Sequence, residues 1–128
     1  MTTSILVVDD EPAVLLTYTM ILRQHGYDVF GVATARQAKQ VLQERGFDLL
    51  ICDLALESSQ SGFDVLRAAR ERYPSLPALL LTGYATSEIA EEAKRQHVSL
   101  LFKPIEVETL LRSIADHVGR PRRRAGGE

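Results

Sequence analysis

The chain has 128 residues, of which 45% are hydrophobic and 25% are charged, the balance of one ordinary globular domain. A domain of this length buries about two thirds of its unfolded surface, so it folds without a disulfide framework or a structural metal. The single cysteine, Cys52, excludes an internal disulfide. The formal net charge of -2 gives no general attraction to nucleic acid or to an anionic membrane. The sequence has no long apolar run and no secretory signal, so we expect a cytoplasmic protein without membrane contact.

Five short apolar runs alternate with longer stretches of helical period. The predicted strands, in chain order, are Ile5–Val8, Tyr27–Val32, Leu49–Cys52, Ala78–Leu81 and Ser99–Phe102. The predicted helices begin at or near Pro12, Thr34, Phe63, Thr86 and Val107, and they end before Gly26, Gly46, Pro74, His97 and Gly119. Thr34 and Gln37 have the spacing of a capping box at the start of the second helix.

These elements predict one domain over residues 1–118. Residues 119–128 are rich in arginine and lack apolar periodicity, which predicts a basic, disordered C-terminal tail. A contact with nucleic acid or a membrane is the functional alternative for that tail. Strands that are apolar on both faces and alternate with helices indicate an α/β fold with a single parallel sheet, covered on both sides. Right-handed crossovers then favour a doubly wound sheet of five strands and five helices.

Polar residues follow four of the five predicted strands. Asp9 and Asp10 follow the first strand, Asp53 the third, Thr82 the fourth and Lys103 the fifth. In a parallel sheet all these positions lie at the same edge, and ligands bind there at the point where the strand order reverses. If the strand order is 2-1-3-4-5, that point lies between the first and third strands, where the three aspartates meet.

Three carboxylates in one cleft repel each other, and a divalent cation relieves that repulsion. Oxygen ligands without a nearby histidine or cysteine indicate Mg2+, or Mn2+, and exclude a zinc site. A lysine and a hydroxyl beside such an ion make a site for a phosphoryl group, with a carboxylate as the nucleophile. Asp53 is the predicted nucleophile because it stands between the acidic pair and the Thr82–Lys103 pair.

Four segments carry a family resemblance that covers about residues 4–118. They are Val7–Pro12, Asp53–Leu54, Leu81–Tyr84 and Phe102–Pro104. In order and spacing they resemble the response-regulator receiver family of two-component signalling, which has a flavodoxin-like fold. The resemblance implies that Asp53 is the phosphoacceptor, that Thr82 is the switch hydroxyl and that Lys103 pairs with the phosphoryl group.

The resemblance also implies a ligand set for the metal. Asp10 and Asp53 would bind it directly, Asp9 mainly through water, and Ala55 through its backbone carbonyl. The Lys103–Pro104 peptide bond would be cis. The chain would catalyse only its own phosphorylation and dephosphorylation, and would not be an enzyme that turns over a separate substrate.

The sequence departs from the family pattern at four places. Leu100 replaces the usual aromatic residue three positions before the lysine, although Phe102 lies on the same side of the strand by alternation. Gly83 replaces the commoner alanine, and the loop after Asp53 lacks Met-Pro and is one residue longer. Ala55 and Tyr84 occupy positions that tune phosphoryl lifetime in this family. Because Ala55 cannot orient an attacking water and Tyr84 could shield the site, we predict slow autodephosphorylation.

Other functions share some of these features. A haloacid-dehalogenase-type phosphatase also uses aspartate, Mg2+, threonine and lysine, but its aspartates are separated by one residue and it needs a cap domain. A pseudo-receiver that only binds partners is disfavoured by the intact Asp10, Asp53, Thr82 and Lys103. A flavin-binding flavodoxin relative is excluded because the first turn is acidic where a phosphate-binding loop needs Gly, Ser or Thr.

The expected partners are a histidine kinase or phosphotransfer protein and a downstream protein target. The first helix and the loops of the acidic pocket would meet the phosphodonor. The face of the fourth helix, fifth strand and fifth helix would meet the target, or a second copy in a homodimer. Only ten residues follow Val118, too few for a DNA-binding domain. The sequence therefore favours a single-domain regulator or phosphorelay intermediate, with a receiver cut from a hybrid kinase or larger regulator as the alternative.

Overall fold

The five apolar runs form the strands of one sheet in the computed structural model, which describes residues 2–56, 60–84 and 86–119. Strands β1 to β5 span Ser4–Val8, Asp28–Val32, Leu49–Asp53, Ala78–Thr82 and Ser99–Phe102. Helices α1 to α5 span Pro12–Gln24, Ala35–Glu44, Gly62–Arg72, Ser87–Arg95 and Val107–Val118. Neighbouring strands pair in parallel in the order β2-β1-β3-β4-β5, so the predicted doubly wound sheet of five strands and five helices is confirmed.

The central strands are buried on both faces because helices cover both sides of the sheet. On one face, Leu6, Leu50 and Leu80 pack in a cluster with apolar side chains of α2, α3 and α4. On the other face, Ile51 and Leu79 pack in a cluster with residues of α1 and α5. This sandwich fixes β1, β3 and β4 in register, so that the ends of these strands form one edge of the domain.

The helix ends differ in detail from those predicted. Gly26 follows α1 with a φ of 94°, the left-handed conformation expected of a C-terminal glycine. The hydroxyl of Thr34 caps α2 by accepting from the N–H of Gln37, but the Gln37 side chain accepts from Ala33 and not from Thr34. The complete capping box lies instead at α3, which the sequence reading did not identify. There the Ser61 N–H donates to Asp64 over 2.8 Å.

Two predictions concern residues outside those that the structure describes. The basic tail begins at Gly119, and its remaining residues, 120–128, lie outside the described residues. The extra residue predicted in the loop after Asp53 involves residues 57–59, which are also outside them. Within the described part of the chain, none of the helices has the length and apolar character needed to cross a membrane.

Candidate functional site

The carboxyl ends of β1 and β3 bring the three predicted acidic residues together. Asp9, Asp10 and Asp53 each offer a carboxylate oxygen, and these oxygens lie within 4.8 Å of one another. Asp9 and Asp53 are almost fully buried, while Asp10 is half-buried. The cluster forms because Val8 pairs with Cys52, which places the residues after Val8 and after Cys52 at the same edge. The predicted convergence of these carboxylates is therefore confirmed.

Lys103 supplies the positive charge that this cluster requires. Its Nζ lies 3.2 Å from Oδ2 of Asp53 and 3.5 Å from Oδ2 of Asp9. The backbone of Lys103 is held by a 2.7 Å hydrogen bond from its N–H to the carbonyl of Thr82. The Lys103–Pro104 peptide bond is cis, as the resemblance implies. The lysine thus bridges the acids of β1 and β3 from the end of β5.

Burial and charge act against each other in this cluster. Burial raises the pKa of Asp53, whereas the ammonium of Lys103 lowers it, and the carboxylate of Asp9 raises it further. Burial on its own lowers the pKa of Lys103, but attraction to Asp53 and Asp9 brings it above the ordinary lysine value. Lys103 is therefore held as a cation, and the ionised form of Asp53 depends on that cation.

The oxygens of the cluster fit a small divalent cation. One carboxylate oxygen of Asp9, Oδ2, is buried and forms no hydrogen bond, although Lys103 stands 3.5 Å away. The other Asp9 oxygen accepts from the N–H of Glu11 over 2.9 Å. A buried carboxylate oxygen without a donor is costly unless a cation meets it. An all-oxygen donor set of this kind suits Mg2+ or Mn2+.

Thr82 lies beside the cluster but its hydroxyl does not bond to it in this structure. Oγ1 of Thr82 donates to the carbonyl of Tyr84 over 2.5 Å and accepts from the Tyr84 N–H over 3.3 Å. Thr82 is buried, whereas the Tyr84 residue is 73% exposed. The hydroxyl is thus engaged with its own loop, and it must break these bonds before it can reach a group on Asp53.

Leu100 and Phe102 face one groove between α4 and β5. The groove has a volume of about 520 Å3 and is also lined by Ala90 and Ala93. Leu100 is half-buried, whereas Phe102 is 54% exposed. Ser99 lines the groove as well, so the shared direction of Leu100 and Phe102 stays a prediction. Phe102 also pairs in register with Thr82.

Gly62 is a site residue that the sequence reading missed. A Cβ at Gly62 would lie 2.8 Å from the backbone oxygen of Asp53 and 3.0 Å from the Cα of Leu54. The Gly62 N–H donates to the carbonyl of Leu54, and Ala55 pairs with Ser61 in an isolated antiparallel bridge. The sequence signal for this contact is a glycine at the first position of α3. Because glycine is a poor helix former, a close backbone contact explains its presence there better than helix propensity does.

Cys52, Phe63 and Tyr18 pack in or against the two core clusters. Cys52 is fully buried, and its thiol donates to the carbonyl of Asp53 over 3.3 Å. Burial raises the pKa of the Cys52 thiol, which keeps it protonated. Phe63 is buried in the cluster under α2, α3 and α4, and Tyr18 packs against the opposite cluster. Burial also raises the pKa of Tyr18, whereas the charge of Lys103 lowers it. The Tyr18 hydroxyl is therefore close enough to Lys103 to interact with it electrostatically.

Comparisons with known proteins identify the family of this chain. The family model of the response regulator receiver domain matches residues 5–115. The transcriptional regulatory protein ZraR of Escherichia coli O157:H7 is 35% identical over 107 residues, which are 83% of this chain and 24% of that protein. The response regulator protein FleR of Pseudomonas aeruginosa is 35% identical over 118 residues, which are 91% of this chain and 25% of FleR. This chain thus spans about a quarter of the length of these curated relatives.

Solved structures agree with the sequence relatives. A CheY-like receiver domain protein from Methanospirillum hungatei superposes with a TM-score of 0.87 at 28% identity, covering 92% of this chain and 94% of that one. The chemotaxis protein CheY4 of Vibrio cholerae superposes with a TM-score of 0.85 at 29% identity, covering 91% of this chain and 99% of that one. The chain therefore belongs to the response regulator receiver domain family of two-component signalling.

Proposed function

We propose that Asp53 accepts a phosphoryl group from a phosphohistidine of a histidine kinase or phosphotransfer protein, and that this modification changes the affinity of the chain for a protein partner. One observation carries the proposal. The buried carboxylate of Asp53 lies 3.2 Å from the ammonium of Lys103, within a cluster of three acids at the carboxyl edge of a parallel sheet. This arrangement combines a nucleophile with the positive charge that a transferred phosphoryl group needs.

The proposed reaction is a single displacement at phosphorus. A carboxylate oxygen of Asp53 forms the new P–O bond while the P–N bond to the donor histidine breaks, and the imidazole leaves with the electron pair. The product is an acyl phosphate on Asp53. The ammonium of Lys103, already beside Oδ2, would pair with an oxygen of the transferred group and release its contact with the free carboxylate.

The acidic cluster would make the phosphoryl transfer depend on a metal ion. Asp10, Asp53 and the backbone carbonyl of Ala55 would hold Mg2+, or Mn2+, with Asp9 acting mainly through water. When bound, the ion would neutralise negative charge on the oxygens of the transferred group. The buried Asp9 oxygen, which has an ion pair with Lys103 at 3.5 Å but no hydrogen bond, supports this assignment.

Thr82 supplies the proposed switch. A phosphoryl group on Asp53 would offer new acceptors to the Thr82 hydroxyl, which would then leave the carbonyl of Tyr84. The loop from Thr82 to α4 would shift, and the face of α4, β5 and α5 would change with it. The Phe102 side chain would change position with this face, in the role of the aromatic residue that position 100 lacks. A downstream protein, or a second copy in a homodimer, would bind that face, whereas α1 and the acidic loops would meet the phosphodonor.

The proposal concerns the receiver itself, and it holds for a single-domain regulator, a phosphorelay intermediate and a receiver within a longer chain. In each arrangement the chain promotes only its own phosphorylation and dephosphorylation. We place the exchange in the cytoplasm, because a chain with a single cysteine forms no internal disulfide and suits a reducing compartment. The transcriptional role named for ZraR belongs to that protein, of which this chain covers 24%.

Intact-mass spectrometry after incubation with acetyl phosphate tests the proposal. We expect a gain of about 80 Da, one phosphoryl group on a carboxylate nucleophile, in the presence of Mg2+. The gain should vanish with EDTA and in Asp53→Asn. Asp64→Asn is the matched control, because Asp64 is a half-buried carboxylate that caps α3 and does not belong to the cluster. An adduct that persists in Asp53→Asn would refute the assignment of the nucleophile.

The phosphorylated protein should lose its phosphoryl group slowly. Ala55, two residues after Asp53, presents only a methyl group, which cannot orient an attacking water. Tyr84 is 73% exposed, so the prediction rests on Ala55. Ala55→Asn would add an amide that can orient an attacking water, so we expect it to shorten the half-life severalfold. The measurement is the decay of the phosphorylated mass after removal of acetyl phosphate in Mg2+. Rapid decay of the wild type, unchanged by Ala55→Asn, would contradict this prediction.

A further inference from the structure

Arg70 joins the end of α3 to the end of α4. From the last turn of α3, its guanidinium donates to three backbone carbonyls: those of Leu76, Gln96 and His97. The Nε–Leu76 distance is 3.1 Å and the Nη2–His97 distance is 3.2 Å. Leu76 precedes β4, whereas Gln96 and His97 lie between α4 and β5. One side chain therefore ties two loops together at the amino edge of the sheet, opposite the acidic cluster.

The carboxyl end of α4 is closed by a Schellman motif. The N–H of Val98 donates to the carbonyl of Ala93 over 3.0 Å, and the N–H of His97 donates to that of Lys94 over 3.2 Å. His97 takes the left-handed conformation, with a φ of 52°, at the position where glycine is usual. The Arg70 cation satisfies the carbonyls that this motif leaves open and faces the negative end of the α4 dipole.

The amino end of α4 has weaker support. Its cap is local, because the Thr86 hydroxyl accepts from the N–H of Ile89 within the same turn. Upstream, a Cβ at Gly83 would meet nothing within 4 Å, and Tyr84 is largely exposed. The buried residue within α4 is Ala93, in the second half of the helix. Ile89, in the first half of the helix, packs against the core but stays partly exposed. Among the described residues, this less firmly held end is the one nearest to Tyr84, whose carbonyl the Thr82 hydroxyl now binds.

We propose that Arg70 is a positioning residue that fixes the carboxyl end of α4, so that a change at Thr82 displaces only the amino end of the helix. The inference rests on the proposed function, since it assumes that a phosphoryl group on Asp53 draws the Thr82 hydroxyl from its loop. Arg70 then sets the direction of the response: α4 pivots about Gln96 and His97, and the end nearest to Tyr84 moves.

Arginine suits this position better than lysine. A planar guanidinium presents several N–H donors in a fixed fork, and here donors on three different nitrogens reach three carbonyls. A lysine ammonium is a compact group on a flexible stem and cannot span the same carbonyls in one conformation. Arg70→Lys should therefore keep the charge but restore only part of the anchoring.

Hydrogen exchange measured by mass spectrometry on the full chain tests this inference. Beryllofluoride with Mg2+ serves as the probe, because it mimics a phosphoryl group on a carboxylate. In the wild type, the probe should change amide exchange in residues 86–90 and leave residues 94–98 unaltered. In Arg70→Met without the probe, residues 94–98 should exchange about tenfold faster, because charge-assisted hydrogen bonds are lost. With the probe, the change should extend over both segments.

Arg72→Met is the matched control. It removes the same charge from the same end of α3, but Arg72 is exposed and contacts the neighbouring Tyr73. It should behave as the wild type, and Arg70→Lys should lie between the wild type and Arg70→Met. Two outcomes would overturn the inference alone. In one, residues 94–98 of Arg70→Met exchange as slowly as those of the wild type. In the other, the probe changes exchange equally at both ends of α4 in the wild type. No wild-type response to the probe, together with no adduct from acetyl phosphate, would overturn the proposed function and the inference with it.

Discussion

Replacement of Lys103 by methionine is expected to lower the free energy of unfolding by about 3 kcal/mol in EDTA, because it leaves buried carboxylates without their cation. The Lys103 Nζ lies 3.2 Å from Asp53 and 3.5 Å from Asp9, and both acids are almost fully buried. Breaking a fully buried ion pair costs about 3 to 5 kcal/mol. We expect the lower value, since the Lys103 side chain is still 22% exposed. Urea denaturation followed by circular dichroism measures the change.

Three comparisons identify the cause of that loss. Lys94→Met removes a lysine from the exposed surface of α4 and should change stability by less than about 0.5 kcal/mol. Asp53→Asn in the Lys103→Met background should recover part of the lost stability, because it removes one of the unpaired charges. Millimolar Mg2+ should also stabilise Lys103→Met, since a bound cation replaces the missing charge. If the double variant is no more stable than Lys103→Met, charge repulsion does not explain the loss.

The same variant should have a characteristic pH dependence. Burial raises the pKa of Asp53 even with Lys103 present, so the folded state holds this proton more tightly than the unfolded state does. Such a group favours folding below the ordinary aspartate pKa of 3.8, and that contribution is lost as the pH rises through the folded pKa. Without Lys103 the folded pKa should rise further. The deficit of Lys103→Met relative to the wild type should therefore shrink in acid and be largest at neutral pH.

Replacement of Gly62 by alanine should cost about 2 to 3 kcal/mol of stability, because overpacking against backbone atoms forces the chain to shift. The new Cβ would lie 2.8 Å from the carbonyl oxygen of Asp53 and 3.0 Å from the Cα of Leu54, neither of which can rotate away. The shift would displace the peptide that carries the proposed nucleophile. The rate of adduct formation with acetyl phosphate should thus fall as well, as measured by intact mass.

Gly83→Ala provides the control for Gly62→Ala. A Cβ at Gly83 meets nothing within 4 Å, and its backbone does not take the left-handed conformation. Alanine should therefore be neutral, or should stabilise the protein by about 0.5 kcal/mol through the unfolded state. A stability of Gly62→Ala equal to that of Gly83→Ala would show that α3 can move away from Asp53 without cost.

The sequence predicted the fold because its signals were local and consistent. Each strand is a short apolar run bounded by polar residues, and each helix has a recognisable start or stop. The five strands and five helices all exist, with ends that differ by a residue or two. Hydrogen-bond partners at helix ends were harder to predict, as the Gln37 side chain shows, because neighbouring N–H groups compete for the same acceptor.

The acidic cluster could also be predicted, since it follows from topology. Asp9, Asp10 and Asp53 lie next to strand ends, and a parallel sheet of this order can only bring those ends together. Lys103 follows β5 and reaches the same cluster through its long side chain. Residue type and position along the chain were sufficient here.

Distances and directions between side chains required the tertiary structure. The sequence placed Thr82 beside the site, but only the folded chain shows its hydroxyl turned to the carbonyl of Tyr84. The close contact of Gly62 with Asp53 and the three carbonyls bound by Arg70 join residues from different elements. Local sequence patterns fix which segments become strands and helices, and therefore which residues reach the carboxyl edge. The contacts of Thr82, Gly62 and Arg70 depend on how those segments pack, since packing sets distances that no local pattern contains.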